Sequence, residues 1–400
     1  MHHKLFLILI AALLLHSGPA QADAKPDASA APAPKESQKQ DEFSGLAAIL
    51  RQGTAAQLER ALNMGLDVNM TDGPDGLTPL MIAAASNPDP SVVTMLAERG
   101  ADLEARETRY GLTPLIFAAT FNRPSVVNAL IEAGATVDQR DDQGGTALYH
   151  AAGANKNPGV VYTLAEAGAN KELGDRNLRT PMMQAAGSGN MQALRMLVRL
   201  GARVNSIDSQ GRTVLHIAAA ETEAASAIEG LVKAGASLET RDHEGRTPLL
   251  AAAASNRNLP VLEALKEAGA DLKETDDSGS DALLLACLSN PNVEVVRFLL
   301  RTGVNLNTPR GNGLTPLLAA AGNVEPEVAK LLILSGADVT AKDPQGRNSL
   351  TLAVWLNPND EVAKILVNGG VSPTEKDNQG RSAIDYAGDR RPELVKFLQR

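Results

Sequence analysis

Apolar and polar positions recur along this chain on a fixed beat. Residues 77–96 read LTPLMIAAASNPDPSVVTML, and residues 112–130 read LTPLIFAATFNRPSVVNAL. Each copy opens with a short apolar run, passes a polar break, and resumes with an apolar pair followed by a leucine. An apolar pair with a leucine three to four residues on is one buried stripe of a helix. The pairs are Val92-Val93, Val126-Val127, Val160-Val161, Val261-Leu262 and Val295-Val296, followed by Leu96, Leu130, Leu164, Leu265 and Leu299. The stripe stops at a glycine, among them Gly100, Gly134, Gly168, Gly201 and Gly235, where a helix C-cap is expected. Alternating residues such as ASLETRDHEG follow and close on Asp-x-x-Gly, which predicts a short extended finger ending in a turn.

A second set of columns fixes the period. A capping residue falls at Thr78, Thr113, Thr146, Thr180, Thr213, Thr247, Asp281, Thr315, Asn348 and Ser382, in steps of 33 to 35 residues. Proline follows at Pro79, Pro114, Pro181, Pro248 and Pro316, the first helical position, where a missing N–H does no harm. Five residues past the cap stands alanine in every copy, from Ala83 to Ala387. A methyl in each copy predicts neighbouring helices in contact, where a larger side chain would overpack at about 1–3 kcal/mol. One unit of this length cannot bury both of its helices, so stacked neighbours must cover them. The expected fold is an all-α repeat solenoid of helix-turn-helix-finger units of about 33–34 residues, running from residue 43 to residue 400.

Thr-Pro-Leu, Ala-Ala, Val-Val-x-x-Leu and Gly-Ala-Asp in register resemble the ankyrin repeat family, over about 360 of the 400 residues. The resemblance implies about eleven units with degenerate caps, Gly45 to Asn69 at one end and Arg381 to Arg400 at the other. It also implies binding of a protein partner through finger tips and the exposed ends of the first helices. The chain departs from the family in two columns. Where the family has a histidine tying one repeat to the next, only His216 matches. Met81, Ile116, Tyr149, Met183, Leu250, Leu284, Leu318 and Thr351 stand elsewhere, which predicts apolar packing in place of that tie. The family's glycine between helices is here asparagine: Asn87, Asn122, Asn155, Asn256, Asn290, Asn323 and Asn357. Asparagine tolerates a left-handed backbone, so these are expected to end the first helix in that conformation. Pro90, Pro124, Pro158 and Pro326 then start the second.

The N-terminus has the form of a secretory signal: Lys4, an apolar run from Leu5 to Leu15, then Ala20-x-Ala22 as a cleavage site. Eleven apolar residues are too few to span a bilayer, which needs about 20. Residues 1–22 are expected to be removed, leaving no membrane insertion, and 23–42, rich in Ala, Pro and Lys, read as a disordered linker. With one cysteine, Cys287, no intramolecular disulfide can form, which suits a bacterial periplasm, with export beyond the cell as the alternative. A net charge of −9 and no Lys/Arg cluster argue against nucleic acid.

Chemistry is sparse. Beyond the signal the histidines are His150, His216 and His243, without metal spacing, and no nucleophile elbow, metalloprotease helix or phosphate loop occurs. His216 is expected to be a structural tie, His150 to pack, and Cys287 to fill a small core position. Paired acids such as Asp141-Asp142 and Asp276-Asp277 are expected to cap turns and stay solvated. The expectation is therefore a non-enzymatic, monomeric interaction scaffold with no cofactor or metal and a protein partner. A secreted effector acting on another cell and an enzyme assembled across repeats are the alternatives. Tyr110, Phe121, Trp355 and the arginines before the capping column, Arg179, Arg212, Arg246, Arg347 and Arg381, fall in the exposed columns, and Tyr, Trp and Arg are common interface anchors.

Overall fold

The computed structural model describes residues 46–400 apart from Leu66, Asp72, Gly73, Val324, Asp389 and Arg390. The expected signal peptide, the linker and residues 43–45 lie outside the described residues. The chain divides into two compact units, one ending at Ser209 and the other beginning at Gln210.

In the first unit, helical residues 46–52 and helix Ala55–Asn63 precede four helix pairs. These are Pro79–Ser86 with Pro90–Glu98, Pro114–Phe121 with Pro124–Glu132, Ala147–Ala154 with Pro158–Glu166, and Pro181–Ser188 with Met191–Arg199. The second unit continues with Val214–Glu221 and Ala225–Lys233, Pro248–Ser255 and Leu259–Glu267, Ala282–Ser289 and Val293–Arg301. It closes with Pro316–Ala320 and Pro326–Leu334, Ser349–Leu356 and Asp360–Asn368, Ala383–Ala387 and Pro392–Leu398. Within each unit, first helices pack on first helices and second on second. Strand pairing among the described residues is confined to isolated bridges in the fingers, such as Lys342 with Asn348.

The local chemistry follows the columns. Thr78 accepts the Met81 N–H at 3.3 Å, and the other column residues make the equivalent bond, Asp281, Asn348 and Ser382 included. The alanine column is buried throughout, so backbones approach closely there. The second helices end in a Schellman arrangement: Gly100 turns left-handed at φ 85°, and Ala101 N–H reaches back to Leu96 O at 3.0 Å.

The asparagines do not behave as expected. Asn87 sits at φ −85° and ψ 120°, and Asn122, Asn155, Asn256, Asn290 and Asn357 are also extended, not left-handed. Their use is polar. Asn122 Nδ2 donates to Ala84 O at 2.9 Å and to Asn87 O at 2.8 Å, both in the preceding repeat. Asn155 does the same to Ala119 and Asn122, and Asn190 continues the series to Asn155 O. In the second unit the chain of bonds runs through Asn256, Asn290, Asn323 and Asn357 and ends on the Arg391 guanidinium at Asn357 O, 2.6 Å. Most of these asparagines also accept an N–H two residues on, as Asn290 does from Asn292 at 2.9 Å. The side chain thus satisfies buried backbone groups that a helix-to-helix break would orphan. Only an amide offers two donors and an acceptor at that length.

The finger carboxylates also differ from expectation. Asp141 and Asp276 are buried, not solvated, and each accepts backbone N–H groups two and four residues on. Asp142 is exposed and pairs with Arg106 at 2.7 Å. One repeat exchanges the pattern. Arg310 stands where neighbouring fingers have aspartate, and Asp281 where most repeats have threonine. They meet as an ion pair at 2.5 Å with side chains only 11% and 9% exposed. Each substitution makes sense only with the other.

Candidate partner-binding surfaces

Trp355 is in the last turn of helix Ser349–Leu356 and is 54% exposed. It is not loose. The Arg347 guanidinium lies over its ring at 4.8 Å, and the Tyr386 ring stands 6.4 Å away, centroid to centroid, in the next repeat. Arg381 covers Tyr386 at 4.3 Å. Two buried carboxylates pin the ends. Arg347 donates to Asp343 through Nε at 2.7 Å and pairs through Nη2 at 2.6 Å, while Tyr386 donates its hydroxyl to Asp377 Oδ2 at 2.8 Å. The result is a row, Arg347–Trp355–Tyr386–Arg381, spread over two repeats and fixed before any partner arrives. Its guanidiniums are already paired with carboxylates, so what it offers is ordered aromatic area with little net charge. Exposed Leu356 continues the surface.

Of the expected contact residues Arg347, Trp355 and Arg381 come together here, joined by Tyr386, which sequence reasoning missed; the other five sit on other repeats. Phe121, half-buried, lines an open cleft of about 760 Å³ with Ala85, Pro88, Arg123 and Pro124. Tyr110 is half-buried at a finger tip, where its carbonyl accepts the Asp142 N–H at 2.8 Å. Arg246 pairs with Glu244 of its own finger at 2.7 Å and lies 3.8 Å from Asp276 of the next. Arg179 and Arg212 are half-buried beside their caps.

The reactive-looking residues are built into the frame. His216 joins repeats, with Nδ1 at 3.1 Å from Thr213 N and Nε2 at 2.9 Å from Arg246 O. Cys287 is fully buried, and burial pushes its thiol far above the ordinary range, which keeps it protonated. His150 does more than pack: its Nε2 lies 2.6 Å from buried Asp141. Tyr149, expected to pack apolarly, places its hydroxyl 3.1 Å from Asp175 Oδ2 and 3.0 Å from the Gln184 side-chain amide of the next repeat, so that junction keeps a polar tie. Gly145 makes room for this cluster, since a Cβ there would lie 2.9 Å from His150 Nε2. Among the described residues, no three His, Cys, Asp or Glu side chains gather as a metal site requires, and no helix is long and apolar enough to cross a membrane.

The Asp141 pair predicts an acid response. Burial alone would raise the Asp141 carboxyl. The hydrogen bond and electrostatic attraction from His150, with the N–H groups of Gly145 and Gln143, outweigh it and hold the carboxyl below its ordinary value. A carboxyl depressed in the folded state contributes stability that is present above the unfolded value, near 3.8, and is lost as pH falls through the folded one. Asp141→Asn is therefore expected to destabilise at neutral pH and to flatten the fall in stability below about pH 4, read from urea midpoints against pH. An equally steep fall in the variant would assign that fall to other groups.

One residue that pattern-reading passed over is Leu178, the single non-glycine with positive φ among the described residues, at 59°. Its column, two before the cap, holds glycine in the nine other aligned copies, and the mismatch was visible in the sequence.

Comparison with known proteins fits this frame. The family model for ankyrin repeats, built as three copies, matches residues 45–141, 84–175, 148–242, 203–276, 249–343 and 317–400. A search of curated proteins gives no match. Among solved structures the chain is similar to the human ASB11 ankyrin repeat domain, with 26% identity over 56% of this chain and 98% of that one, at a TM-score of 0.49. The capped first helices, the glycine-stopped second helices and the turn-closed fingers lie within the matched span. The chain is a member of the ankyrin repeat family.

Proposed function

We propose that this chain is a non-enzymatic scaffold, acting as a monomer, that holds a protein partner against the Arg347–Trp355–Tyr386–Arg381 row. The observation that carries the reading is a large aromatic, half exposed, held in one geometry by Arg347 and Tyr386. Ordered Trp, Tyr and Arg side chains lose little freedom on binding, which is why they dominate interface energetics. Ankyrin repeats generally mediate protein–protein interaction, in keeping with this use. The signal-like form of residues 1–22 and the lack of a possible disulfide support action in the periplasm.

Trp355→Ala is expected to weaken partner capture about tenfold or more, the range of an interface hot spot. Thermal stability should change little, because the side chain fills no core. Cross-linking in the native host with fractionation, followed by mass spectrometry, measures both partner and compartment. Equal capture by the variant would remove the row from the interface, and recovery only in the cytoplasm would remove the periplasmic reading.

A further inference from the structure

We propose that residues 28–40 of this same chain lie as an extended strap across the outer face of three consecutive second helices of the first unit, Pro90–Glu98, Pro124–Glu132 and Pro158–Glu166. The surface is built by second helices, not by fingers or first helices, and the proposal is independent of the Trp355 row.

The first observation is a change of surface chemistry along the array. The last four second helices pair their second and fifth residues: Glu294 with Arg297 at 3.1 Å, Glu327 with Lys330 at 3.2 Å, Glu361 with Lys364 at 3.4 Å and Glu393 with Lys396 at 2.7 Å. Pairs of this kind belong to a helix face turned to water. In the three helices of the first unit the same positions hold Ser91 and Thr94, Ser125 and Asn128, and Gly159 and Tyr162. Polar groups among them are used locally. Ser91 Oγ donates to Asp89 at 2.7 Å, Thr94 Oγ1 to Pro90 O at 3.1 Å, and Asn128 Nδ2 to Glu132 at 2.7 Å. What remains is a small, uncharged stripe that ends at Tyr162, 47% exposed. Arg195, fifth residue of the next second helix, closes it.

The second observation is a hollow at the near end of the stripe. Ala55, Pro90, Met95 and Ala129 line an open cleft of about 590 Å³ with Glu98 and Glu132 at its edge. Ala55 stands on its margin, nine residues after Leu46, the first described residue. The segment before Leu46 therefore joins the array at the end where this face begins.

The third observation is charge and length. Glu98, Glu132 and Glu166 end the three helices, where the helix dipole favours a cation; the next two second helices end on Arg199 and Lys233. All three carboxylates are exposed and none forms an ion pair among the described residues. They stand one per helix, spaced by the roughly 8–10 Å between packed helices. Residues 28–40 read ASAAPAPKESQKQ, small residues and two prolines followed by Lys35 and Lys39, with Glu36 the one acid. An extended Ala/Pro tract advances about 3.1 Å per residue, so Lys39 to Lys35 spans about 12 Å and Lys35 to Pro32 about 9 Å. Each step matches about one helix spacing. Running back from Leu46, Lys39 meets Glu98, Lys35 meets Glu132, and Pro32 meets the Tyr162 ring, since extended proline segments dock on aromatic side chains. Tethering raises the effective concentration to the order of millimolar, so contacts that are weak one by one suffice.

The test places a benzophenone amino acid at position 33 in the full chain, expressed in its native host and purified, with cross-links mapped by mass spectrometry. We expect an intrachain link from 33 to residues within 124–166, in a product that migrates as a single chain. Lys35→Glu with Lys39→Glu should lower its yield about threefold to fivefold. Glu98→Lys with Glu132→Lys should lower it equally, with Tm unchanged or higher because a cation suits a helix C-terminus. All four substitutions together should restore the yield, and Tyr162→Ser should lower it. No intrachain link, a link to the second unit, to a second copy of this chain or to another protein, or a yield that ignores the lysine charges overturns the proposal, as does failure of the fourfold exchange to restore it. The lysine pair sits on the strap itself, so its result decides the matter even where the glutamate pair destabilises the helices.

Discussion

Asn290→Ala is expected to destabilise the second unit by about 3–5 kcal/mol, the sum of two or three buried backbone groups losing their partners. Asn290 is fully buried. Its amide donates to Ala253 O at 3.0 Å and Asn256 O at 2.9 Å, and its oxygen accepts the Asn292 N–H at 2.9 Å. Alanine removes all three bonds and opens a small void. Asn290→Asp separates hydrogen bonding from volume. It keeps the shape but turns a carboxylate toward two carbonyls, an arrangement no buried charge tolerates. Urea unfolding gives the total loss. Amide exchange locates it, with opening expected first around Asn290 and its neighbours Asn256 and Asn323. A loss below about 1 kcal/mol, the worth of one ordinary hydrogen bond, would mean that water replaces the ladder freely.

Arg310→Asp is expected to be as damaging, at about 3–5 kcal/mol, because a buried ion pair broken on one side leaves a charge without its counterpart. Here the variant also faces Asp281 with a second carboxylate. The informative variant is the double exchange, Asp281→Thr with Arg310→Asp, which restores the threonine cap and finger aspartate of other repeats. It is expected to lie within about 1 kcal/mol of wild type, so that the double-mutant cycle shows strong coupling. Additive losses would show that the two positions do not act as a pair.

Much of the frame was legible in the sequence because it rests on local chemistry repeated in register. Thr-Pro announces a capped helix start, and a buried methyl is announced by alanine in every copy. Glycine after the Val-Val-x-x-Leu stripe announces a left-handed C-cap. The asparagine column was legible as a column but not as a device. Its partners lie 33 to 38 residues away in sequence, as Asn122 to Ala84 shows, and local conformational preference carries no trace of them. The burial of Asp141 was hidden for a different reason: its partners His150 and Gly145 are close in sequence, but the pairing and the space for it exist only in the folded finger.

The candidate surfaces were partly legible. Trp355 stood out as an aromatic in an exposed column. The side chains that hold it, Arg347 and Tyr386, sit on different repeats and meet only in the stacked structure. Arg246 was legible as an exposed-column arginine, while its pairing with Glu244 of the same finger was not. Leu178 broke a glycine column in plain view, but its significance needs the backbone angle.

The central claim is that the repeated motifs build the frame and that residues breaking the pattern make the contact. The most direct measurement is amide hydrogen exchange on the full chain, free and bound to the cross-linked partner. Added protection is predicted over residues 343–356 and 377–386, which carry the Arg347–Trp355–Tyr386–Arg381 row, and should disappear with Trp355→Ala. Protection confined to the second helices, or unchanged by that substitution, would contradict the claim.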